Sequence, residues 1–270
     1  MPTATSLRNR SEVRAACAVA AEFGLGQVKP VLLRDRANLL VHLSPAPVVV
    51  RVATVTASVR PGVSANLARD VALATFLAES GAPAVPPSDL LPPGPHERDG
   101  HTMTFWRYLE HEPDHQFAPA EFAALLADLH PVLARYPGEL PSAPPIEPPL
   151  LAAVPATPER RAELVAEVGE VLAALRTGEL PVQPLHGDAH PGNVLWTRDG
   201  PVWNDFEDAW CGPVAWDLAC MLGSGRLDGR AALAAYPGAP SESDLGVPLR
   251  ARQLQAELWT LLMAERFPAA

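Results

Sequence analysis

The chain has 270 residues, of which 48% are hydrophobic, and its formal net charge is −10. A chain of this length buries enough apolar surface for one or two domains, and its hydrophobic content argues against disorder. The acidic balance, without clustered Lys and Arg, argues against nucleic acid as a partner.

The sequence predicts neither a membrane-spanning segment nor a disulfide framework. No apolar run reaches the roughly 18 to 20 residues that span a bilayer, and residues 1–14 carry no apolar signal-peptide core behind them. We therefore expect a cytoplasmic protein without membrane contact. Cys17, Cys211 and Cys220 are odd in number and lack CxxC spacing, so neither a disulfide framework nor structural zinc is predicted.

The first half of the sequence predicts helix, three strands, helix and a further strand. An Ala-rich helix is predicted over residues 11–23, ending at Gly24. Ser64 is the predicted cap of a helix that runs to residue 80 before Gly81. The predicted strands are the β-prone runs 28–33, 38–43, 48–55 and 100–109.

The second half predicts mostly helices around one hairpin. Apolar spacing predicts a helix from Pro119 to about residue 133, and a Pro-rich loop or short broken elements follow over 136–158. Further helices are predicted over 158–177, 226–236 and 249–267. Two β-prone runs, 194–197 and 202–204, flank Asp199-Gly200, which is a hairpin turn signal.

Polar residues stand at both ends of this hairpin. The run HGDAHPGN (186–193) precedes the first strand, and NDFED (204–208) follows the second. Folding the chain around residue 199 sets Asn193 beside Asp205, about 4.5 to 5.5 Å apart at Cβ. The carboxylate of Asp188, in an irregular loop, can face the same ion or a substrate hydroxyl. Oxygen ligands favour Mg²⁺ or Mn²⁺, so these parts match phosphoryl transfer.

Residues 186–222 resemble the aminoglycoside phosphotransferase and choline kinase family, which are small-molecule kinases of the protein-kinase-like fold. The motifs that carry the resemblance are HGDAHPGN, NDFED, Gly212-Pro213 and Asp217-Leu218-Ala219. It implies an α+β fold of two lobes: a small β-rich N-lobe (1–107) that covers the nucleotide, and a larger, mainly helical C-lobe (108–270) with the catalytic hairpin.

The same resemblance implies transfer of the γ-phosphate of ATP or GTP to a hydroxyl of a small molecule, such as an aminoglycoside or another amine-bearing alcohol. Asp188 would be the catalytic carboxylate, and Asn193 and Asp205 would bind Mg²⁺ or Mn²⁺. His186 and Asp217 would support the loop.

In the N-lobe, the resemblance implies that Arg51 on the third strand contacts the nucleotide phosphates and that Asp70 on the following helix pairs with it. Both depart from the commoner Lys and Glu. Asn38 matches an asparagine often found in related phosphotransferases. Residues 34–38 contain no glycine where a Gly-rich turn over the phosphates is expected.

Three alternatives stay open from the sequence. Arg51 and Asp70 are also compatible with plain surface charges. His186, Asp188, His190 and Asp205 also suit a metal-dependent hydrolase. The departures in the N-lobe also suit a non-catalytic, kinase-like binding protein. Neither the acceptor nor the oligomeric state is predicted, and the candidate amine-binding acids are Glu207, Asp208, Glu242, Asp244, Glu257 and Glu265.

Overall fold

A computed structural model of the chain describes Leu7 and residues 9–146, 148–177 and 180–267, without the side chains of Thr177, Glu242, Glu265 and Arg266. The chain divides into two compact units. The first comprises Met1–His111 with Thr197–Gly200, and the second comprises Glu112–Trp196 with Pro201–Ala270. The lobe boundary predicted at residues 107 and 108 stays a prediction.

The first unit is built on an antiparallel sheet of five strands in the order β1-β2-β3-β5-β4. The strands are β1 Lys29–Asp35, β2 Asn38–Ser44, β3 Val48–Ala53, β4 His96–Arg98 and β5 His101–Arg107. From Leu39 onward, alternate residues of β2 are buried, as the period of two requires when one face packs on a core, whereas β5 has four consecutive buried residues. These core residues are Leu39, Val41, Leu43, Val48, Val50, Val52, Met103 and Phe105. The four strands predicted in this part are confirmed to within two residues.

The third strand ends earlier than predicted because its hydrogen-bonded pairing with β2 stops there. Asn38, the first residue of β2, pairs with Ala53, the last residue of β3. Beyond that pair the chain turns into a short helix, α2 (Val55–Val59). The loop predicted at residues 34–38 is also shorter than expected. Arg34 and Asp35 belong to β1, so a turn of two residues joins β1 to β2.

Two longer helices complete the first unit: α1 (Ser11–Glu22) and α3 (Val63–Glu79). The predicted cap of α3 is wrong, since the helix begins at Val63 and Ser64 lies inside it. Gly62 is the residue before the helix, and its φ of 69° lies in the left-handed region that glycine adopts without strain. The helix therefore begins two residues earlier than it would with Ser64 as its cap.

The second unit is mainly helical. Its helices are α4 Pro119–Leu133, α5 Pro148–Ala153, α6 Pro158–Thr177, α7 Ala215–Leu222, α8 Gly229–Ala235 and α9 Glu242–Arg266. Helix α9 packs against α5, α6 and α7, while α8 packs against α4 and α7. The short strands are β6 His111–Glu112, β7 Val182–Pro184, β8 Val194–Thr197, β9 Gly200–Trp203 and β10 Cys211–Pro213, in the sheets β6-β8-β9 and β10-β7.

Two predicted helix starts are wrong. Helix α9 begins at Glu242 instead of residue 249, because Ser241 and Asp244 form a reciprocal capping box at its start. Pro248 therefore lies inside the helix. Helix α8 begins at Gly229 instead of residue 226, because the Asp228 carboxylate accepts a hydrogen bond from the Ala231 N–H at 3.0 Å.

Two further observations concern the whole described chain. Among the described residues no helix combines the length and the apolarity that crossing a membrane requires. Cys17, Cys211 and Cys220 all lie in the described part of the chain and form no disulfide there.

Candidate active site

The hairpin β8–β9 has a register one residue away from the predicted one. The two strands are joined by a turn of two residues, Arg198 and Asp199, so the chain reverses between them. The Asn204 N–H accordingly donates to the Asn193 carbonyl oxygen at 3.0 Å. Asn193 therefore lies opposite Asn204, and the predicted pairing of Asn193 with Asp205 is wrong by one residue.

A slip of one residue on a strand moves a side chain to the other face. Asp205 avoids that outcome because it follows β9 with a φ of 66°, in the left-handed region. Strand alternation therefore no longer sets the direction of its side chain. A non-glycine residue in this region is uncommon, and such strain is concentrated at functional sites.

The carboxylate of Asp188 has three side-chain partners. The Asn193 Nδ2 donates to its Oδ2 at 2.9 Å and also to its backbone oxygen at 2.9 Å. The His190 Nε2 lies 3.3 Å from the same Oδ2. The Arg252 guanidinium, on α9, donates to Oδ1. The structure therefore brings Asp188 and Asn193 together, and it adds Arg252 to them.

These contacts keep Asp188 ionised. Burial by itself raises the pKa of this carboxyl, but the charge of Arg252 and the hydrogen bond from His190 outweigh it, so the pKa lies well below its usual value. An ionised carboxylate is the state that orients a hydroxyl and accepts its proton.

Asp217 on α7 holds the start of the loop. Its two carboxylate oxygens accept the backbone N–H groups of His186 at 3.0 Å and Gly187 at 2.9 Å. His130 on α4 lies 3.2 Å from Oδ2 of the same carboxylate. Asp217 is fully buried, and these contacts match the loop support that the sequence predicts for it.

The loop also touches the segment after β9. Gly187 has a φ of 84°, and a Cβ built there would overlap the carbonyl oxygen of Asp208. The Trp216 Nε1 donates to the Gly187 oxygen at 2.8 Å. Only glycine allows this close approach of two backbones.

His186 uses both ring nitrogen atoms within this structure. Its Nδ1 accepts the Asp188 N–H at 3.3 Å, so the proton is on Nε2, which donates to the Asn204 oxygen at 3.1 Å. Burial lowers its pKa against the opposing charges of Asp217, Asp188 and Asp205, so the ring is neutral. His186 thus bonds the loop backbone, as one reading of the sequence predicts, and it is not available as a metal ligand.

The hydrolase alternative finds no support in this geometry. The described residues include no group of three His, Cys, Asp or Glu side chains placed to hold one metal ion. A magnesium site of the kinase type fits better. The Asn193 amide directs its NH₂ group to Asp188, which leaves Oδ1 as its cation-binding atom. With the Asp205 carboxylate this is an oxygen-only donor set, which Mg²⁺ prefers.

Comparison with known proteins decides the family. The profile of the phosphotransferase enzyme family (APH) matches residues 28–254. The chain belongs to this family. The predicted family is thereby confirmed. Of the curated relatives, stress response kinase A of Escherichia coli K12 is 35% identical over 120 residues, which are 40% of this chain and 36% of that protein. The chain thus matches about a third of the length of this relative.

Solved structures confirm the predicted fold of the chain. Choline kinase LicA from Streptococcus pneumoniae has a TM-score of 0.66 at 14% identity, with 95% of this chain and 93% of LicA covered. An aminoglycoside-3'-phosphotransferase of type VIII has a TM-score of 0.64 at 19% identity, with 90% of this chain and 98% of that chain covered.

In the first unit, Arg51 and Asp70 form a buried ion pair at 2.6 Å. Their side chains are 6% and 0% exposed, so neither is a solvent-facing surface charge. The Asn38 side chain, at the start of β2, accepts a hydrogen bond from the Thr56 hydroxyl. The pairing of Arg51 with Asp70 occurs as the resemblance implies.

Structural partners are present for three of the six candidate amine-binding acids, namely Asp208, Asp244 and Glu257. Asp208 accepts from Gln255, Asp244 belongs to the α9 capping box, and Glu257 pairs with Arg160 at 2.7 Å. The side chains of Glu242 and Glu265 lie outside the described part of the chain. Glu207 is half-buried, two residues after Asp205.

Sequence reasoning missed Arg252 and Gln255. They lie three residues apart on α9, where the neighbouring Ala251, Leu254 and Leu258 are buried. Residues three apart share a helix face, so a charged and an amide side chain on an apolar face are a signal for a buried polar contact. No feature of the sequence names the partner.

Proposed function

We propose that this phosphotransferase moves the γ-phosphate of ATP or GTP to a hydroxyl of a small molecule. The observation that carries the proposal is the double hydrogen bond from Asn193 to Asp188. It holds a low-pKa carboxylate next to an amide whose oxygen suits a magnesium ion, within one loop.

Each residue has a proposed task. The Asp188 carboxylate orients the acceptor hydroxyl and receives its proton. Asn193 and Asp205 hold the metal ion, which when bound neutralises the phosphate charge. Asp217 and His186 fix the loop backbone, so that Asp188 is oriented before the substrate arrives.

The first unit supplies the proposed phosphate contact. Arg51, held by Asp70, would contact the nucleotide phosphates, with Asn38 nearby in the sheet. An arginine can bind phosphate with two parallel hydrogen bonds, so it replaces the lysine that this position lacks.

Relatives support a nucleotide as the co-substrate. LicA has been solved in complex with AMP, and APH(2")-IIia has been solved with GDP and kanamycin. Both purine nucleotides therefore belong in the test. An amine-bearing acceptor is proposed on the same basis, because a choline kinase and aminoglycoside phosphotransferases share this fold.

The test is a thermal-shift titration with ATP and GTP, with and without Mg²⁺, on the native protein and on Asp205→Asn. Ligand at about 100 times its Kd raises the free energy of unfolding by about 2.7 kcal/mol. For a chain of this size this corresponds to a rise in Tm of roughly 5 to 10 °C. We expect a Mg²⁺-dependent shift that Asp205→Asn removes. Asp199→Asn, an exposed carboxylate in the hairpin turn, is the matched control and should keep the shift. The absence of any nucleotide shift would overturn the proposal.

A protein hydroxyl is the second candidate acceptor. A relative from Salmonella typhimurium, 40% identical over 78 residues, is named serine/threonine protein kinase RdoA. Incubation with γ-labelled ATP separates the two candidates: label on casein or histone favours a protein acceptor, and label on kanamycin, choline or an amino sugar favours a small molecule.

A further inference from the structure

The hydrogen-bonding capacity of Asp188 is nearly exhausted. An ionised carboxylate offers about four lone-pair sites, two on each oxygen. The Gly192 N–H donates to the His190 Nδ1 at 2.9 Å, so in the neutral ring the proton is on Nε2, which faces Asp188 Oδ2 at 3.3 Å. Asn193 also donates to Oδ2. Both sites on Oδ2 are therefore filled.

Oδ1 of Asp188 is different. The described residues give it one side-chain donor, Arg252, which leaves one site for an incoming group. The side chains of Asp188 and Arg252 are 24% and 19% exposed, so this pair is only partly covered by the protein. A hydroxyl that approaches Asp188 meets Oδ1, beside the guanidinium of Arg252.

Arg252 is itself held in place by a buried amide. Its NH1 donates to the Gln255 Oε1 at 2.6 Å. Gln255 is fully buried, and its Nε2 donates to the Asp208 carboxylate at 3.1 Å and the Pro145 oxygen at 3.2 Å. The chain of contacts from Asp188 through Arg252 and Gln255 to Asp208 joins the catalytic loop to the segment that follows Asp205.

We propose that the acceptor hydroxyl binds the remaining site on Asp188 Oδ1. In this proposal Arg252 and Gln255 are positioning residues that hold this oxygen in the required orientation. This inference rests on the proposed function. Arg252 fixes the rotation of the carboxylate, because it binds one oxygen while Asn193 and His190 bind the other. Gln255 fixes Arg252, because the amide oxygen it presents is anchored through its own NH₂ group.

The transfer step fits this assignment. The acceptor oxygen forms a bond to the γ-phosphorus while the bond from that phosphorus to the bridging oxygen of the leaving diphosphate breaks. The electron pair of the broken bond goes to the nucleoside diphosphate, and the hydroxyl proton passes to Asp188 Oδ1. Rotation of the carboxylate moves the proton acceptor away from the attack line, and a misplacement of about 1 Å lowers the rate about 10²-fold.

The experiment measures phosphate release from ATP with water as the acceptor, at saturating Mg²⁺. The variants are Arg252→Met, Arg252→Lys and Gln255→Met, with Arg250→Met as the matched control. Arg250 lies on the same helix but pairs with Glu167 at 2.7 Å, with a side chain 57% exposed. The folded fraction of each variant is measured by nucleotide-binding stoichiometry, so kcat refers to folded protein.

We expect Arg252→Met to lower kcat about 10- to 100-fold with an unchanged KM for ATP, as residues that orient a catalytic group typically do. Arg252→Lys keeps a charged donor to Oδ1 and should recover part of the loss. Gln255→Met should lower kcat less, because Arg252 remains. Arg250→Met should match the native protein. If Arg252 had only a structural role, its loss would reduce the folded fraction of the protein. It would not lower kcat at an unchanged KM, and lysine would not restore kcat.

The outcomes separate this inference from the proposed function. Native turnover that Arg252→Met and Gln255→Met leave unchanged per folded molecule would overturn the positioning assignment and leave the phosphotransferase proposal standing. A native protein with neither phosphate release nor a nucleotide shift would overturn the proposed function, and the assignment with it.

Discussion

Two arginine–aspartate ion pairs, one in each unit, differ in how much of their side-chain surface is exposed to solvent. Arg51 and Asp70 are almost completely buried, whereas Arg252 and Asp188 keep about a fifth of their side-chain surface in solvent. A buried pair is fixed because separation leaves an unpaired charge in a low-dielectric interior. A partly exposed pair can admit a substrate. We therefore expect the first pair to hold Arg51 in a fixed position and the second to be accessible to a substrate.

The largest expected effect is on turnover at the exposed pair. Asp188→Asn removes the proton acceptor but keeps the size of the side chain, so kcat should fall about 10²- to 10⁴-fold. The nucleotide-dependent thermal shift should remain, because the proposed metal ligands are intact. Phosphate release measured beside thermal shift checks both. Normal turnover in this variant would remove the central role of Asp188.

The next effect is on stability at the buried pair. Asp70→Leu removes the carboxylate that pairs with Arg51 at 2.6 Å, and breaking a buried pair destabilises by about 3 to 5 kcal/mol. For a chain of this size, that corresponds to a Tm lower by roughly 6 to 20 °C.

The matched control for this prediction is the double variant Arg51→Met/Asp70→Leu, which removes both charges. It should recover most of the Tm, because no unpaired charge remains, but it should lose the nucleotide-dependent shift if Arg51 contacts phosphate. A small Tm change in Asp70→Leu would show that water or a neighbouring group replaces the lost carboxylate.

The smallest effect is the pH dependence of stability from His186. Its folded pKa lies below the unfolded value of about 6.5, so the unfolded state binds the proton first. This residue therefore leaves stability unchanged above about pH 6.5. Below that pH it lowers stability, by at most about 1.4 kcal/mol per pH unit, until the folded pKa is reached.

Urea unfolding of the native protein and of His186→Gln between pH 5 and 8 checks this prediction. The difference in the free energy of unfolding between the two proteins should narrow as the pH falls below 6.5, because glutamine does not titrate. A constant difference across the range would mean that His186 has the same pKa in both states.

Much of the fold followed from local patterns. The strands of the first unit and helices α1, α4 and α6 were predicted near their observed bounds because alternation, helical spacing and Gly or Pro boundaries act within a few residues. The errors arose where a shift of one residue changes which residues lie opposite each other. The hairpin reverses between Arg198 and Asp199, which moves the partner of Asn193 from Asp205 to Asn204.

The sequence by itself determined the family, the fold and the members of the catalytic loop. His186, Asp188 and Asn193 are close in the chain, so their spacing constrains their geometry before any tertiary contact forms. Asp217 and the Arg51–Asp70 pair entered only through the family resemblance.

Only the tertiary structure decided what surrounds Asp188. Arg252 is 64 residues from Asp188, and Gln255 is 47 residues from Asp208. Helix packing brings these side chains together, and packing depends on the whole unit. A helical pattern specifies which face is buried, but the groups that this face meets are set by the elements that pack against it.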